Sequence, residues 1–540
     1  MTKLTYFLMF ISLFAFAQKE KKDNVFTNAG DATKMFKGKQ KMYAGDYVGA
    51  LNTFREVEKN NPQDASVKYY VAFCQFNLKQ IPNAKESLLK AVEINVNVVP
   101  ETHLLLGRVY QMEDDFDKAI AEYETFKKNP SEDKESIEDA NTYSSQCQTA
   151  KTMVANPLQV EIVNLGPEVN SKYDDKNPCI TADGRKLVFT TRRPESTNDV
   201  PDIEGDGKYF ENIYIAWLDS ATRNFGKTGN VSSSINTKAH DACTSISPDG
   251  KQIFIYYNDM NDRAKRGGSV FVSKVNKDKW KAPESLGKPI NSSYWEGGAC
   301  VSANGKQYFF TSERPGGYGS SDIWMVEKLN KTDWGTPVNL GPEVNTAFDE
   351  AGMFLAPDGK TLFFCSNGPK SMGGYDIFRT VYEKGKWSTP VNVGYPINST
   401  SKEGQLTLSA DAKYAYISSD RKGGLGESDL YKIDLKDYSI LEPDGKKRNN
   451  NGLSILKGTI RDGAEGYGVQ DVEIIIKDDK DVQVATANTN ESGEYFFTMK
   501  GGKYSIVVKK NGFQEINESF DLGVSDKETV ILEKGYLLKK

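Results

Sequence analysis

The sequence predicts a multidomain chain: an all-α repeat solenoid, an all-β propeller of five blades with six as the alternative, and an all-β sandwich. Three observations carry this expectation. Small residues recur at a helix-hairpin period between 31 and 155. A polar heptapeptide and its weaker copies recur five times between 158 and 436, and short alternating strands separated by glycine turns fill 454–540.

At 540 residues the chain exceeds one hydrophobic core, so several modules are expected. Its 69 basic and 74 acidic residues give a net charge of -5, which argues against a partner that is a phosphate backbone; no nucleic acid is expected. Residues 1–17, with Lys3, an apolar run from Leu4 to Phe14 and then Ala15-Phe16-Ala17, have the three-part pattern of a cleaved secretory signal. Residues 18–30 read as a flexible N-terminus, no cysteine follows the apolar run to take a lipid, and no later stretch approaches the ~20 apolar residues of a membrane span. A soluble, exported mature protein is therefore expected. The six cysteines (Cys74, Cys147, Cys179, Cys243, Cys300, Cys365) lie far apart without a CxxC pair and mostly within apolar runs. They read as small buried hydrophobes, with no disulfide framework, no metal and no cofactor.

Between 31 and 155 the small residues Gly38, Ala72 and Gly107 fall 34 and 35 apart, as do Ala50, Ala84 and Ala119, and Phe54, Leu88 and Tyr123 follow at fixed offset. Only small side chains fit where paired antiparallel helices come closest. Gly45-Asp46-Tyr47 and Asp114-Asp115-Phe116 mark hairpin turns, and Pro62 closes the first repeat. This pattern resembles tetratricopeptide repeats, three copies plus a final helix from about Lys134 to Ala155. The resemblance implies a groove that docks a peptide or partner helix, with a rigid spacer as the alternative.

The words Asn164–Asn170 and Asn339–Asn345 are both NLGPEVN, and NVSSSIN, SLGKPIN and NVGYPIN are weaker copies. Their closing asparagines, 170, 236, 291, 345 and 398, are spaced by 66, 55, 54 and 53 residues. Each is followed by a turn (Ala182-Asp183-Gly184, Pro248-Asp249-Gly250, Ala303-Asn304-Gly305, Pro357-Asp358-Gly359 and a degraded Ala410-Asp411-Ala412), then by a dense apolar strand such as Leu187-Val188-Phe189. A third strand carries Asn212-Ile213-Tyr214, Asp322-Ile323-Trp324, Asp376-Ile377-Phe378 or Asp429-Leu430-Tyr431; a fourth carries Trp-x-x-Pro (Trp280, Trp334, Trp387) and is expected at an exposed edge. The fifth repeat lacks that edge, and an orphan strand from Leu158 to Val163 is expected to supply it. These words resemble the WD40-like Pro-Asp propeller repeats of TolB and tricorn-type propellers. Five residues after each marker asparagine stands an acid: Asp175, Asp241, Glu296, Glu350 and Glu403. These are the candidate binding residues, expected to ring the mouth of a central channel; the competing expectation is that each acts as a staple by accepting hydrogen bonds from backbone amides of a neighbouring blade.

Residues 437–453 read as a polar linker. Beyond it the order KGTI, VQDVEIII, TNESGEYFF, GGKYSIVVKKNGF resembles the carboxypeptidase regulatory-like domain, a transthyretin-like sandwich, over 454–540. The resemblance implies an adhesive or spacer module without catalytic residues.

Neither His103 nor His240 stands in a zinc-peptidase context and no G-x-S-x-G elbow occurs, so no catalytic residue is nominated and no enzyme is expected. The order of modules resembles that of periplasmic proteins of Bacteroidota, including the OmpA-family component associated with type IX secretion and gliding. It implies a non-enzymatic scaffold in the periplasm, associated with the outer membrane, whose partners are other proteins of an outer-membrane or secretion assembly. A module binding glycans or peptides in the propeller channel and a cryptic hydrolase are the alternatives. The relatives' peptidoglycan-binding domain is not expected, because the sequence given closes at Lys540 after Leu537-Leu538-Lys539.

Overall fold

A computed structural model describes residues 29–95, 99–129, 134–197, 199–202, 207–226, 228–258, 268–276, 279–330, 333–442, 452–525 and 529–540. The expected signal, 18–28 of the expected flexible N-terminus and 443–451 of the expected linker lie outside them. The chain divides into two compact units, Met1–Asn141 with Ile203–Gly207, and Thr142–Asp202 with Lys208–Lys540.

The first unit is built from antiparallel helix pairs: Ala29–Tyr43 with Tyr47–Asn60, Ala65–Asn77 with Ile81–Ile94, and Glu101–Met112 with Phe116–Lys128. Asp46, Asp64 and Asp115 cap their helices by accepting backbone N–H bonds from Gly49, Ser66 and Lys118. The hairpin turns take left-handed backbone at Gly45, Lys79 and Asp114. The recurrent small residues mark closest approach: a Cβ at Gly38 would stand 2.5 Å from the Phe54 ring, and one at Gly107 would stand 2.4 Å from the Tyr123 ring. Ala50, Ala72, Ala84, Ala119, Phe54, Leu88 and Tyr123 are all fully buried. His103 has a structural partner here, its Nδ1 lying 2.6 Å from Glu122.

The second unit is rich in sheet. Five antiparallel sheets each hold a four-strand path, and their innermost strands are Asp175–Ile180, His240–Ile246, Glu296–Val301, Glu350–Leu355 and Glu403–Leu408. We number the sheets 1 to 5 in that order. The second strand of each is apolar on both faces and buried: Phe189, Phe254, Phe310 and Phe363 are at most 0% exposed, as is Ile417. Inner strands touch in the sequence 1 to 2, 2 to 3, 3 to 4, 4 to 5 and 5 to 1. The orphan strand, Glu161–Asn164, pairs antiparallel with Asp429–Asp434 and forms the outer edge of sheet 5.

The outer edges differ from the expected Trp-x-x-Pro strand. Trp280 and Trp387 sit in two-residue strands, Lys279–Trp280 and Lys386–Trp387, that fold back on the far end of the third strand. The edge strands proper, Glu284–Ser285, Val338–Asn339 and Val391–Asn392, begin after the prolines. Proline, lacking an N–H, thus separates two short edge pieces instead of lying within one.

The hairpin turns between first and second strands share one backbone form, with φ of +70 at Gly184, +71 at Gly250, +69 at Gly305 and +71 at Gly359. The degraded fifth turn keeps it: Ala412 adopts φ +51.

The last module, 453–538, is a two-sheet sandwich. One sheet pairs Leu453–Asp462 with Glu494–Lys500, Ile531–Glu533 and Tyr536–Leu538; the other runs Gln483–Asn488, Glu473–Lys477, Gly502–Lys509, Ile516–Leu522. Leu456, Ile460, Ile474, Ile476, Phe497, Ile506 and Val508 fill the space between them. The three final strands were not foreseen: Ile516–Leu522 is mostly polar, and Ile531–Glu533 and Tyr536–Leu538 are only three residues each. The module sits on the turns of the sheet array. Ala182 and Ala410, from the turns of sheets 1 and 5, are buried against Leu453 and Ile455. Thr498 Oγ1 donates to Pro357 O at 2.9 Å, Lys413 Nζ donates to Ser525 O at 2.6 Å, and Lys251 pairs with Glu494.

The expected linker is anchored at both described ends. Ile440 is buried, Arg379 Nη1 donates to Ile440 O at 2.9 Å and to Glu442 O at 2.7 Å, and Leu453 N donates to Ala410 O. Within the helix Lys134–Val154, Gln146 Nε2 donates to Asn367 O at 3.0 Å and Gly368 O at 3.2 Å.

Two substitutions test these packing arguments by denaturant titration. Ala412→Gly removes a left-handed strain and is expected to stabilise the protein by about 1 kcal/mol. Gly107→Ala drives a methyl into the Tyr123 ring and is expected to destabilise the helical unit by about 1–3 kcal/mol.

Candidate functional site

The linkers between sheets explain the repeated heptapeptide. Each closing asparagine binds the third strand of the preceding sheet through both side-chain atoms, as a strand edge would. Leu430 N donates to Asn170 Oδ1 at 2.8 Å while Asn170 Nδ2 donates to Leu430 O at 3.0 Å. Asn236 does the same to Ile213, Asn291 to Val270, Asn345 to Ile323 and Asn398 to Ile377. The opening asparagine serves the same knot: Asn339 Oδ1 accepts from Gly341 N and Asn345 Nδ2, and its Nδ2 donates to Asp322.

The residue after the closing asparagine then binds the acid. Ser171, Thr237, Ser292, Thr346 and Ser399 each donate a backbone N–H and a hydroxyl to Asp175, Asp241, Glu296, Glu350 and Glu403, at 2.5 to 2.9 Å. All five acids are at most 1% exposed. A ligand-binding ring would need a face to solvent, and these carboxylates have none; their oxygens are used in joining one sheet to the next.

Eighteen residues after the acid, Arg193, Arg314 and Arg421 reach back to it in sheets 1, 3 and 5, at 2.6, 3.3 and 3.2 Å, and also bind the carbonyl that precedes the marker asparagine. Sheet 4 has Gly368 at that position. There burial pushes the Glu350 carboxyl up to about 7, against the N–H and hydroxyl of Thr346 and the hydroxyl of Ser366. In sheet 2, burial pushes Asp241 up to about 6, against the N–H and hydroxyl of Thr237.

Side chains from separate sheets meet at the inner strands. Gln405, on the inner strand of sheet 5, donates through Nε2 to Thr244 O of sheet 2 at 2.9 Å and reaches Cys179 Sγ at 3.4 Å. Gln405, Cys179 and Cys243 are buried.

The varied chemistry lies one residue away. Strand alternation turns the residue before each acid to the other side, which gives Asp174, His240, Trp295, Asp349 and Lys402, one from each sheet and partly exposed or exposed. Neighbours link them. Lys208 Nζ is 3.3 Å from Asp174. His240 stands between Glu211 at 3.2 Å and Asp202 at 3.4 Å, and Lys176 Nζ is 2.5 Å from Glu211. Trp295 Nε1 donates to Tyr256 OH at 3.3 Å, Tyr375 OH donates to Asp349 Oδ2 at 3.1 Å, and Lys402 lies over the Tyr375 ring at 5.2 Å. Asp349 Oδ1 is buried with no hydrogen-bond partner among the described residues.

The electrostatics of this face follow from burial opposed by partners. Burial alone would raise Glu211, yet Lys176, His240 and Arg192 hold its carboxyl well below the usual range. Burial disfavours the His240 cation, yet Glu211 and Asp202 hold the imidazole above its usual value. No group of His, Cys, Asp and Glu among the described residues is placed to hold a metal ion.

Sequence reasoning singled out the invariant acids and missed this varied position. The available signal was the variation itself: the position that is an acid in all five copies serves the scaffold, and the position that runs Asp, His, Trp, Asp, Lys is released from it.

The comparisons with known proteins bear on the modules. Residues 455–533 match the carboxypeptidase regulatory-like domain. A bovine protein, the BBSome complex member BBS4 of Bos taurus, is 29% identical over 79 residues, and the chain spans 15% of its length. The first TPR domain of Spaghetti (RPAP3) bound to an HSP90 peptide is 15% identical, covering 24% of this chain and 99% of that one, with a TM-score of 0.22. The sialidase of Trypanosoma rangeli with the inhibitor DANA is 10% identical over 71% of this chain and 92% of that one, with a TM-score of 0.32. The α-L-arabinofuranosidase of Podospora anserina with cellotriose is 14% identical over 52% of this chain and 97% of that one, with a TM-score of 0.33. At TM-scores this low, none of the three structural likenesses decides what this chain does.

The raised Glu350 carboxyl sets a pH dependence. Its folded form keeps a proton from the ordinary value of 4.5 up to about 7, so its contribution to stability is full below about 4.5 and declines as pH rises to about 7. Glu350→Gln is expected to make the fall in stability between those limits shallower, as read from denaturant midpoints across pH; an unchanged slope would refute the assignment.

Proposed function

We propose that this chain is a non-enzymatic scaffold that binds other proteins. In this reading the five sheets form a closed five-bladed propeller, the helical repeats form a tetratricopeptide-type docking array, and the sandwich braces the propeller. The contact between inner strands 5 and 1, together with the strand Glu161–Asn164 completing sheet 5, supports closure.

The observation that carries the scaffold reading is the helical unit. Its regular spacing stacks the hairpins, through Gly38 on Phe54 and Gly107 on Tyr123, and stacked hairpins of this kind present an outer helix surface to a partner. Phe36, on the first helix, is 62% exposed. The polar repeats of the sheets are consumed in stapling, and His240 is held by two carboxylates rather than beside a nucleophile. The apolar segment Leu4–Phe14 supports export, and the order of modules supports a place in the periplasm beside the outer membrane, in an assembly of the secretion or gliding type. No helix among the described residues is long and apolar enough to cross a membrane.

A second reading rests on one observation: Trp295 and Tyr256 form an aromatic pair beside the ion network of the varied face. In that reading the face takes a small polar ligand such as a glycan.

Cross-linking of the full chain in envelope extracts separates the two. The scaffold reading expects an outer-membrane or secretion component joined to residues 31–155, and a marked loss of those cross-links in Phe36→Asp. Cross-links absent from that segment, with glycan binding that Trp295→Ala abolishes, would leave only the second reading.

A further inference from the structure

Two of the six cysteines meet at the centre of the array. Cys179 lies on Asp175–Ile180 and Cys243 on His240–Ile246, the innermost strands of sheets 1 and 2, and their Sγ atoms are 3.4 Å apart. Both side chains are buried, at 1% and 0% exposed. The sulfurs are already in contact; a covalent bond needs them at about 2 Å, a shift of the size that side-chain rotation and slight strand movement supply. A small apolar filler would serve at either position. Two sulfurs aimed at each other from separate sheets are a more specific arrangement.

We propose that Cys179 and Cys243 form a disulfide that ties sheet 1 to sheet 2 when the chain folds in an oxidising compartment. The electron acceptor is a disulfide oxidant, a small molecule or a dithiol oxidase. The thiolate of one cysteine attacks the oxidant's disulfide, forms a mixed disulfide and releases one thiol. The second thiolate then attacks the protein sulfur of that mixed disulfide and releases the other thiol. Two protein thiols lose two hydrogens, one S–S bond forms, and the oxidant's S–S bond is reduced to two thiols. In the finished fold burial raises the Cys243 thiol well above its ordinary value, so exchange belongs to the stage before the sheets close over it. The cross-link spans 64 residues of chain and restricts the unfolded state accordingly.

The compartment rests on the proposed export, but the bond itself is tested on purified protein, so the two can fail separately. The full chain is refolded from denaturant with oxidised and reduced glutathione, beside a sample kept reduced. Intact mass is expected to fall by about 2 Da as two hydrogens are lost, and thiol titration in denaturant to find two fewer of the six cysteines. Non-reducing peptide mapping should join the peptides carrying residues 179 and 243, and the melting temperature should rise and fall back with reductant. Cys300→Ser should leave the mass change intact and Cys243→Ser should abolish it. Because Cys243→Ser places a hydroxyl in a sealed site, mapping of the unsubstituted chain is decisive. Six titratable thiols after oxidative refolding, or a bond that uses Cys300 in place of Cys243, would overturn the proposal.

Discussion

The second unit depends on a buried carboxylate that is never left alone. A charge withdrawn from water is costly unless its lone pairs are filled, and in each sheet the acid at the start of the inner strand is filled by the N–H and hydroxyl of the linker that enters from the preceding sheet. The same linker is bound one residue earlier by an asparagine that completes the preceding third strand. Each knot therefore fixes two sheets at once. Removing one partner would leave a buried carboxyl unsatisfied or open a strand edge, which accounts for the closing asparagine, the Ser or Thr after it and the acid recurring in all five copies.

Other parts of the fold bind the sheet array at particular places. Sheet 4 lacks the arginine found in sheets 1, 3 and 5, and the helix ending at Val154 binds the carbonyls of Asn367 and Gly368 at that place. Sheets 1, 3 and 5 carry alanine where sheets 2 and 4 carry proline at the head of their turns, and Leu453 and Ile455 of the sandwich are seated on the alanines of sheets 1 and 5. The sandwich is seated on part of the turn side, and Gln405 joins the inner strand of sheet 5 to that of sheet 2. The face bearing Asp174, His240, Trp295, Asp349 and Lys402 is partly exposed or exposed.

That face brings opposite charges into close balance. Lys176, Arg192 and His240 surround Glu211, while Lys402 is set against an aromatic ring. Such a surface offers both signs of charge within a few side chains, and an aromatic plane beside them. In the proposed reading it is a surface for a polar partner.

The sequence by itself determined the modules, because each is built from local repetition. The 34-residue spacing of Gly38 and Ala72 requires paired helices, the recurring asparagines and Asp-Gly turns require repeated hairpins, and the strand missing from the fifth repeat was legible as the spare one before the first. What only the tertiary structure decided was which side each residue faces and what it meets. A one-residue step along a strand separates a sealed structural acid from an open, varied neighbour, and periodicity alone does not say which of the two is inward. The meeting of Cys179 with Cys243, of Gln405 with Thr244 and of Ala410 with Leu453 joins residues far apart in the chain. No local rule specifies such contacts; they exist only once the sheets are assembled around a shared centre.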